Sequence, residues 1–249
     1  MSRKWRWVMG LIGLVLTIGC FYYWFHMSHP SVLPTDEQII KEINDIYLEA
    51  DAKEVQDRVA IDELHFVIPY ISGRGDYSLS YWEWGFKDWS LTYIDTKGEP
   101  TLWHVDPAHP STYHIVWNFD PRDQVDEISY YLLRDRGFYV SEGVENYQPQ
   151  IQIEKKITLQ NQTYGVMKLP EEFVETMEGL NRVTGSHHPF LSVDEVLSMQ
   201  QMYMGYFPMN KDGKRASIDY SVNGQGFSNG TQSFDFVMPV NERDLEVPK

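Results

Sequence analysis

Residues Val8 to Phe25 form a run of 18 without a charged side chain. An α-helix needs about 20 mostly apolar residues to cross roughly 30 Å of hydrocarbon, and the flanking Trp5, Trp7 and His26 bring the run to that length. Such a run divides the chain into a part suited to lipid and a part suited to water. Arg3, Lys4 and Arg6 precede it, whereas His26 to Gln38 holds no Lys or Arg. The positive-inside rule then places the N-terminus in the cytoplasm and the remainder outside. Trp5, Trp7, Tyr22, Tyr23 and Trp24 stand at the two ends, where amphipathic rings favour the headgroup region. Residues 1–7 read as a cytoplasmic stub, 8–26 as a transmembrane anchor in contact with the lipid bilayer, and 27–34 as a linker.

A cleaved signal peptide shares the basic start and the apolar stretch. Here, however, the stretch ends in bulky Phe21-Tyr22-Tyr23-Trp24-Phe25, so an uncleaved anchor is expected. Leu16-Thr17-Ile18-Gly19-Cys20 resembles a bacterial lipobox, with Thr17 where that pattern has leucine. Cys20 is the only cysteine. That excludes a disulfide framework, a thiolate zinc cluster and thiol catalysis beyond the anchor. An exported domain without disulfides suits a bacterial envelope better than a eukaryotic secretory route, and the sequons at Asn161 and Asn229 read as unglycosylated.

The whole chain carries 21 basic against 36 acidic residues, a formal −15. Residues 1–26 hold three of the basic residues and no acid, so the rest stands at 18 against 36, or −18. This excludes nucleic acid as the expected partner, because phosphate recognition needs a basic face. It also repels anionic headgroups. The prolines of His29-Pro30-Ser31-Val32-Leu33-Pro34 read as an extended spacer.

Beyond the linker the pattern predicts an α+β exported domain over 35–170. Thr35 and Gln38 form a capping box, and Ile39, Ile40, Ile43, Ile46, Tyr47 and Ala50 continue a helical stripe to about residue 56. The period then changes to two. Strands are predicted over Leu64–Ile71, Tyr77–Trp84, Trp89–Ile94, Pro100–Val105 and Thr112–Phe119, joined by short polar turns as an antiparallel meander. Val125–Leu133 reads as strand through Tyr130-Tyr131, and strands follow at Gln150–Leu159 and Thr163–Leu169. Residues 171–240 read as an extension of this domain or a small second unit. A helix starts after Pro170, a loop spans Asn181–His188, and Ser192 with Glu195 opens another helix to about Met204. A hairpin pairs Ile218-Tyr220-Val222 with Phe234-Phe236-Met238, and 241–249 form a polar tail. A leading helix on a curved antiparallel meander resembles the layout of cystatin-like and nuclear-transport-factor-like domains. The resemblance covers about residues 35–170, lies in element order alone, and implies a pocket beneath the helix.

Five of the eight tryptophans, Trp82, Trp84, Trp89, Trp103 and Trp117, fall in one stretch of this sheet. Trp82, Trp84, Trp103 and Trp117 are the candidate ligand-binding residues, since rings on a concave sheet can stack on sugars; the competing reading is an aromatic core. His104, His109 and His114 are regularly spaced but do not converge by spacing, so no metal is expected. Asp62, Glu63, Glu83, Asp95, Glu99 and Asp106 could supply a carboxylate pair for glycoside hydrolysis. No nucleophile elbow, zinc helix, phosphate loop or dinucleotide fingerprint occurs, so no catalytic residue and no cofactor is assigned. Arg74-Gly75-Asp76 and Asn210-Lys211-Asp212-Gly213 both read as turns. The expected function is a membrane-anchored, extracytoplasmic, non-catalytic module that binds an envelope partner. The alternative is a protein that binds or hydrolyses cell-wall glycan.

Overall fold

The computed structural model describes residues 3–26, 30–141, 144–185 and 202–246. In chain order these form α1 (Arg3–His26), α2 (Asp36–Ile46), β1 (Ala52–Val55), β2 (Val59–Ala60), β3 (His65–Ser72), β4 (Tyr77–Gly85), β5 (Asp88–Asp95), β6 (Thr101–His104) and β7 (Tyr113–Asn118). They continue with β8 (Glu127–Arg134), β9 (Gly137–Ser141), β10 (Val144–Gln148), β11 (Ile151–Thr158), β12 (Tyr164–Lys168), α3 (Glu171–Gly185), β13 (Met202–Met209), β14 (Gly226–Ser228), β15 (Ser233–Phe236) and β16 (Met238–Pro239). The protein is mixed α+β, with few helices and mostly antiparallel sheets.

Among the described residues, no helix is long and apolar enough to cross a membrane. The large apolar side chains described in α1, from Met9 to Ile18, are all exposed.

The capping box predicted for α2 is present, with the Gln38 N–H donating to Thr35 Oγ1 and the Thr35 N–H donating to Gln38 Oε1. Ile39 and Ile43 are fully buried, each stabilising the fold by roughly 1.5–3 kcal/mol. The helix ends at Ile46 and not near residue 56. The reason is the Asn44 amide, which donates to the Ala52 carbonyl (3.0 Å) and accepts from the Ala52 N–H (2.7 Å). Asp51, at φ +43°, completes the reversal.

The five strands predicted between 64 and 119 are present as β3 to β7, but the single meander is not. The first sheet runs β1-β3-β4-β5-β14, with β2 also on β3; the second runs β12-β7-β6-β15; the third runs β11-β8-β13-β16. The helix-on-meander unit therefore stops at β5, at residue 95 and not at 170. The physical reason lies in β6 and β7, which carry apolar groups on both faces and need cover on both. Leu102, Tyr113, Ile115 and Trp117 face a core shared with Ile128, Tyr130, Leu132, Phe173 and Tyr206. Trp103 and Val116 face Val67, Leu79 and Tyr81 of the first sheet. The other face of the first sheet, with Ile68, Tyr70, Trp82 and Leu91, lies under α2. Gly98 permits the departure of the chain from β5, since a Cβ there would stand 1.6 Å from the Asn118 carbonyl oxygen.

The C-terminal hairpin is also replaced. Segment 217–222 is a turn region clasped to 120–123. There the Asp120 N–H donates to Ser221 Oγ (2.8 Å), and that hydroxyl donates to Asp123 Oδ2 (2.5 Å). β14 and β15 instead complete the open edges of β5 and β6, because unpaired edge groups are best satisfied by another strand. Helix α3 continues through the predicted loop to Gly185. The helix predicted from Ser192 lies outside the described residues up to 201, and Met202 to Met204 belong to β13. A hairpin of β9 and β10, which the sequence reading passed over, exposes Phe138, Val140 and Tyr147.

Asp95 ends β5 beneath the 223–225 loop, where a Cβ on Gly224 would come within 2.7 Å of its Oδ1. Burial pushes its carboxyl up from 3.8 to about 7; the Lys97 N–H opposes this and the Glu99 charge adds to it. The folded state thus holds the proton more tightly than the unfolded chain. The associated stability is fully present below pH 3.8 and is lost as pH rises to about 7, a difference of about 4 kcal/mol. Asp95→Asn is expected to raise the melting temperature at pH 8 while changing it little at pH 4. Thermal unfolding across that range checks this, and an equal effect at both ends would count against it.

Candidate binding groove

The chain enters the body at Pro30, and the prolines at 30 and 34 keep the intervening backbone extended. Trp89, near the start of β5, donates its indole Nε1–H to the Ser31 carbonyl (3.0 Å). Leu33 packs into the core beneath α2. Arg58 donates to the Pro34 carbonyl (3.3 Å) and ion-pairs with Asp36. Residues 30–34 are therefore a strap fixed across the sheet and not a free spacer.

An open trough lies on each side of the strap. One, of about 960 Å³, is walled by Pro30 to Glu37 with Arg58, Asp62, Glu63, Phe66 and Trp89. The other, of about 650 Å³, is walled by Val32 to Pro34 with Gln38, Lys41, Glu42, Asp45, Asp88, Trp89 and Ser90. Trp89 and Val32 to Pro34 belong to both. Phe66 meets Trp89 edge to face at 5.1 Å, and Trp84 meets it at 5.4 Å. The larger trough thus combines an aromatic wall with fixed polar groups, the usual composition of a binding cleft.

The charge of the walls is one-sided. Asp36, Glu37, Glu42, Asp45, Asp62, Glu63 and Asp88 face Arg58 and Lys41 alone, and these cations are already paired with Asp36 and Asp45. Burial raises the Glu42 carboxyl; a Leu91 backbone hydrogen bond opposes this, and the Asp88 and Asp45 charges add to it. Burial also opposes ionisation of Asp62. The His65 hydrogen bond outweighs it, with the Leu64 N–H, and holds this carboxyl below its usual range. His65 Nδ1 lies 2.9 and 3.0 Å from the two Asp62 oxygens, so Nδ1 carries the hydrogen.

The candidate tryptophans are distributed over different layers. Trp82 has no exposed surface and donates to Ser80 Oγ (3.0 Å) on the α2 side of the first sheet. Trp103 is equally buried between the first and second sheets and donates to Gln232 Oε1 (2.9 Å). Trp117 is buried on the opposite face of the second sheet under Gly165, where a Cβ would come within 2.3 Å of its ring. Trp84 alone is half-buried and reaches the surroundings of the groove through Trp89. A sugar ring has no face to stack on at Trp82 or Trp103. Trp89 borders the groove but is only 5% exposed, about as buried as Trp117; the more accessible ring of the wall is Phe66, which, like Asp36 and Glu37, is not among the sequence candidates.

The other sequence features separate likewise. Trp103 pairs with His114, and His104 with Tyr113, so His104 and His114 project to opposite faces of the second sheet. Burial lowers the pKa of His114, and its Nδ1 lies 2.8 Å from the Thr112 carbonyl. His109 binds Asp106 within its own turn (2.8 Å). Of the six candidate carboxylates, Asp62 and Glu63 share the groove, whereas Glu83 accepts from Gln232 and Glu99 from Tyr206. No group of three His, Cys, Asp or Glu among the described residues is placed to hold a metal ion. Arg74 and Asp76 occupy a turn with Gly75 at φ +78°, and Arg74 donates to the Glu49 carbonyl (2.9 Å). Asn210 Oδ1 accepts the Asp212 and Lys214 N–H groups (3.0 Å each), as a turn requires.

No protein-family model, curated protein or solved structure matches this chain. The groove itself is therefore the ground for any functional reading. Trp82→Ala is expected to destabilise the fold by about 3–5 kcal/mol, the range for a buried tryptophan, and Trp84→Ala by clearly less. Urea denaturation of the two variants checks the order; equal losses would mean that Trp84 also serves the core.

Proposed function

We propose that this chain is a single-pass membrane protein of a bacterial envelope. Its N-terminus lies in the cytoplasm, and its α+β body works outside as a non-catalytic module that binds an envelope partner. The anchor is residues 8–26. It is supported by the charge-free run and by the basic residues confined to its N-terminal side.

The observation that carries the binding reading is the groove at the root of this helix. Four residues separate His26 from Ser31, whose carbonyl is bonded to Trp89. At about 3.5 Å per residue they span at most about 18 Å. The groove is thus held close to the end of the helix, and its carboxylates disfavour an anionic lipid surface as occupant.

The glycan reading is favoured by one observation, the half-buried ring of Phe66 beside Asp62 and Glu63. Asp62 is committed to His65, which weakens its use as one of two catalytic acids. Binding of the detergent-solubilised full chain to purified peptidoglycan would favour the glycan reading over the protein partner.

Topology is tested by fusing alkaline phosphatase, or a reporter active only in the cytoplasm, after Lys249. The phosphatase fusion is expected to be active and the other inactive. The reverse pattern would refute an exported body.

A further inference from the structure

The strap makes the groove more specific than a general binding surface. Residues 30–34 show that an extended, proline-containing backbone fits across Trp89, with the indole Nε1–H donating to a main-chain carbonyl. This is the mode in which aromatic-lined grooves hold extended peptides. Beside the strap the apolar wall of the larger trough continues through Phe66, and the strap itself presents the exposed Val32 to both troughs.

Charge selects among possible occupants. Both cations of the groove are already paired, and neither pair includes Glu37, Glu42, Glu63 or Asp88. Glu42 is held partly protonation-prone by burial and by the neighbouring Asp88 and Asp45 charges, a condition that an incoming cation relieves. A second copy of this chain would bring another strongly acidic body, and an anionic bilayer would bring more negative charge. Both are repelled.

We propose that the troughs beside the strap form one recognition groove for an extended, cationic segment of a partner protein. Apolar residues of that segment rest on the half-buried Phe66 and the exposed Val32, and its lysines or arginines lie among Glu37, Glu42, Glu63 and Asp88. This inference rests on the reading of the body as a binding module and names the chemistry of its partner. The rim charges speed encounter and exclude acidic competitors, while the aromatic wall holds the apolar side chains.

The test uses the full chain in neutral detergent and two synthetic peptides, Lys-Pro-Leu-Lys-Pro-Leu-Lys amide and its counterpart with glutamate in place of lysine. Tryptophan fluorescence reads binding. The basic peptide is expected to bind and the acidic one not, with affinity weakening as salt rises. Glu63→Gln and Asp88→Asn are each expected to weaken binding by about two- to fivefold, the range for exposed ion pairs. Val32→Lys, on a side chain that is 94% exposed and so safe for folding, is expected to weaken it by a similar or larger factor. Equal binding of both peptides, or binding indifferent to all three variants, overturns the proposal. Binding of neither peptide also overturns it, yet leaves the anchored-module reading standing if the phosphatase fusion is active. Failure of that fusion removes the reading itself, whatever the peptides do.

Discussion

Trp103 joins the first two sheets, and the layered arrangement depends on it. It rises from β6 with no exposed surface and meets Tyr81 of the first sheet edge to face at 5.2 Å, with Phe234 of β15 stacked at 6.0 Å. Its indole N–H reaches Gln232, and Gln232 donates in turn to Glu83 at the end of β4 (2.8 Å). His65 closes the seam with an edge contact at 5.5 Å. One side chain thus supplies apolar area to two sheets and begins a polar chain that satisfies its own N–H. Because this seam covers one face of β6 and β7, their other face can build a second core with β8, β13 and α3.

The seam also bears on the groove. His65 touches Trp103 on one side and fixes the Asp62 carboxylate on the other. A wall residue of the groove is therefore held by the same element that holds the sheets together. Trp89 plays the corresponding part above the first sheet, where its indole N–H fixes the strap and its buried ring backs Phe66, the accessible ring of the wall. The acidic character of the body, diffuse as a net charge, becomes local here, since the nearby cations are already engaged.

Local features were legible in the sequence wherever neighbours in the chain decide them. Thr35 and Gln38 announce a helix start because the groups they cap are three residues away, and the β3 to β7 alternation announces strands because each strand needs one period over several residues. Pairing was not legible. Whether β6 continues from β5 or leaves it depends on what covers the second face of Thr101 to His104, and that cover comes from Phe173 and Tyr206, far along the chain. The helix end at Ile46 was missed for a similar reason: Asn44 reads as a solvent residue until Ala52 folds back against it. The β9 and β10 hairpin left a signal, Phe138 and Val140 alternating before Glu142-Gly143, that the stronger strands on either side obscured.

Of the groove, the sequence displayed the parts without the assembly. It marked the prolines of 30–34, the tryptophan-rich stretch and the surplus of acids, but nothing in it joins Ser31 to Trp89 across 58 residues. Choosing Trp82, Trp84, Trp103 and Trp117 followed from density along the chain, whereas exposure depends on which face of which sheet each side chain takes. By itself the sequence determined the charge-free N-terminal run, the α+β character, the cap of α2 and the absence of a cysteine beyond Cys20, because composition and short-range periodicity suffice for each. Only the tertiary structure decided that the strands divide into three larger sheets and the β9–β10 ribbon, that Trp82, Trp89, Trp103 and Trp117 lie in the core and that residues 30–34 are a strap beside an acidic groove. Those outcomes depend on burial and pairing between distant residues, which no local pattern encodes.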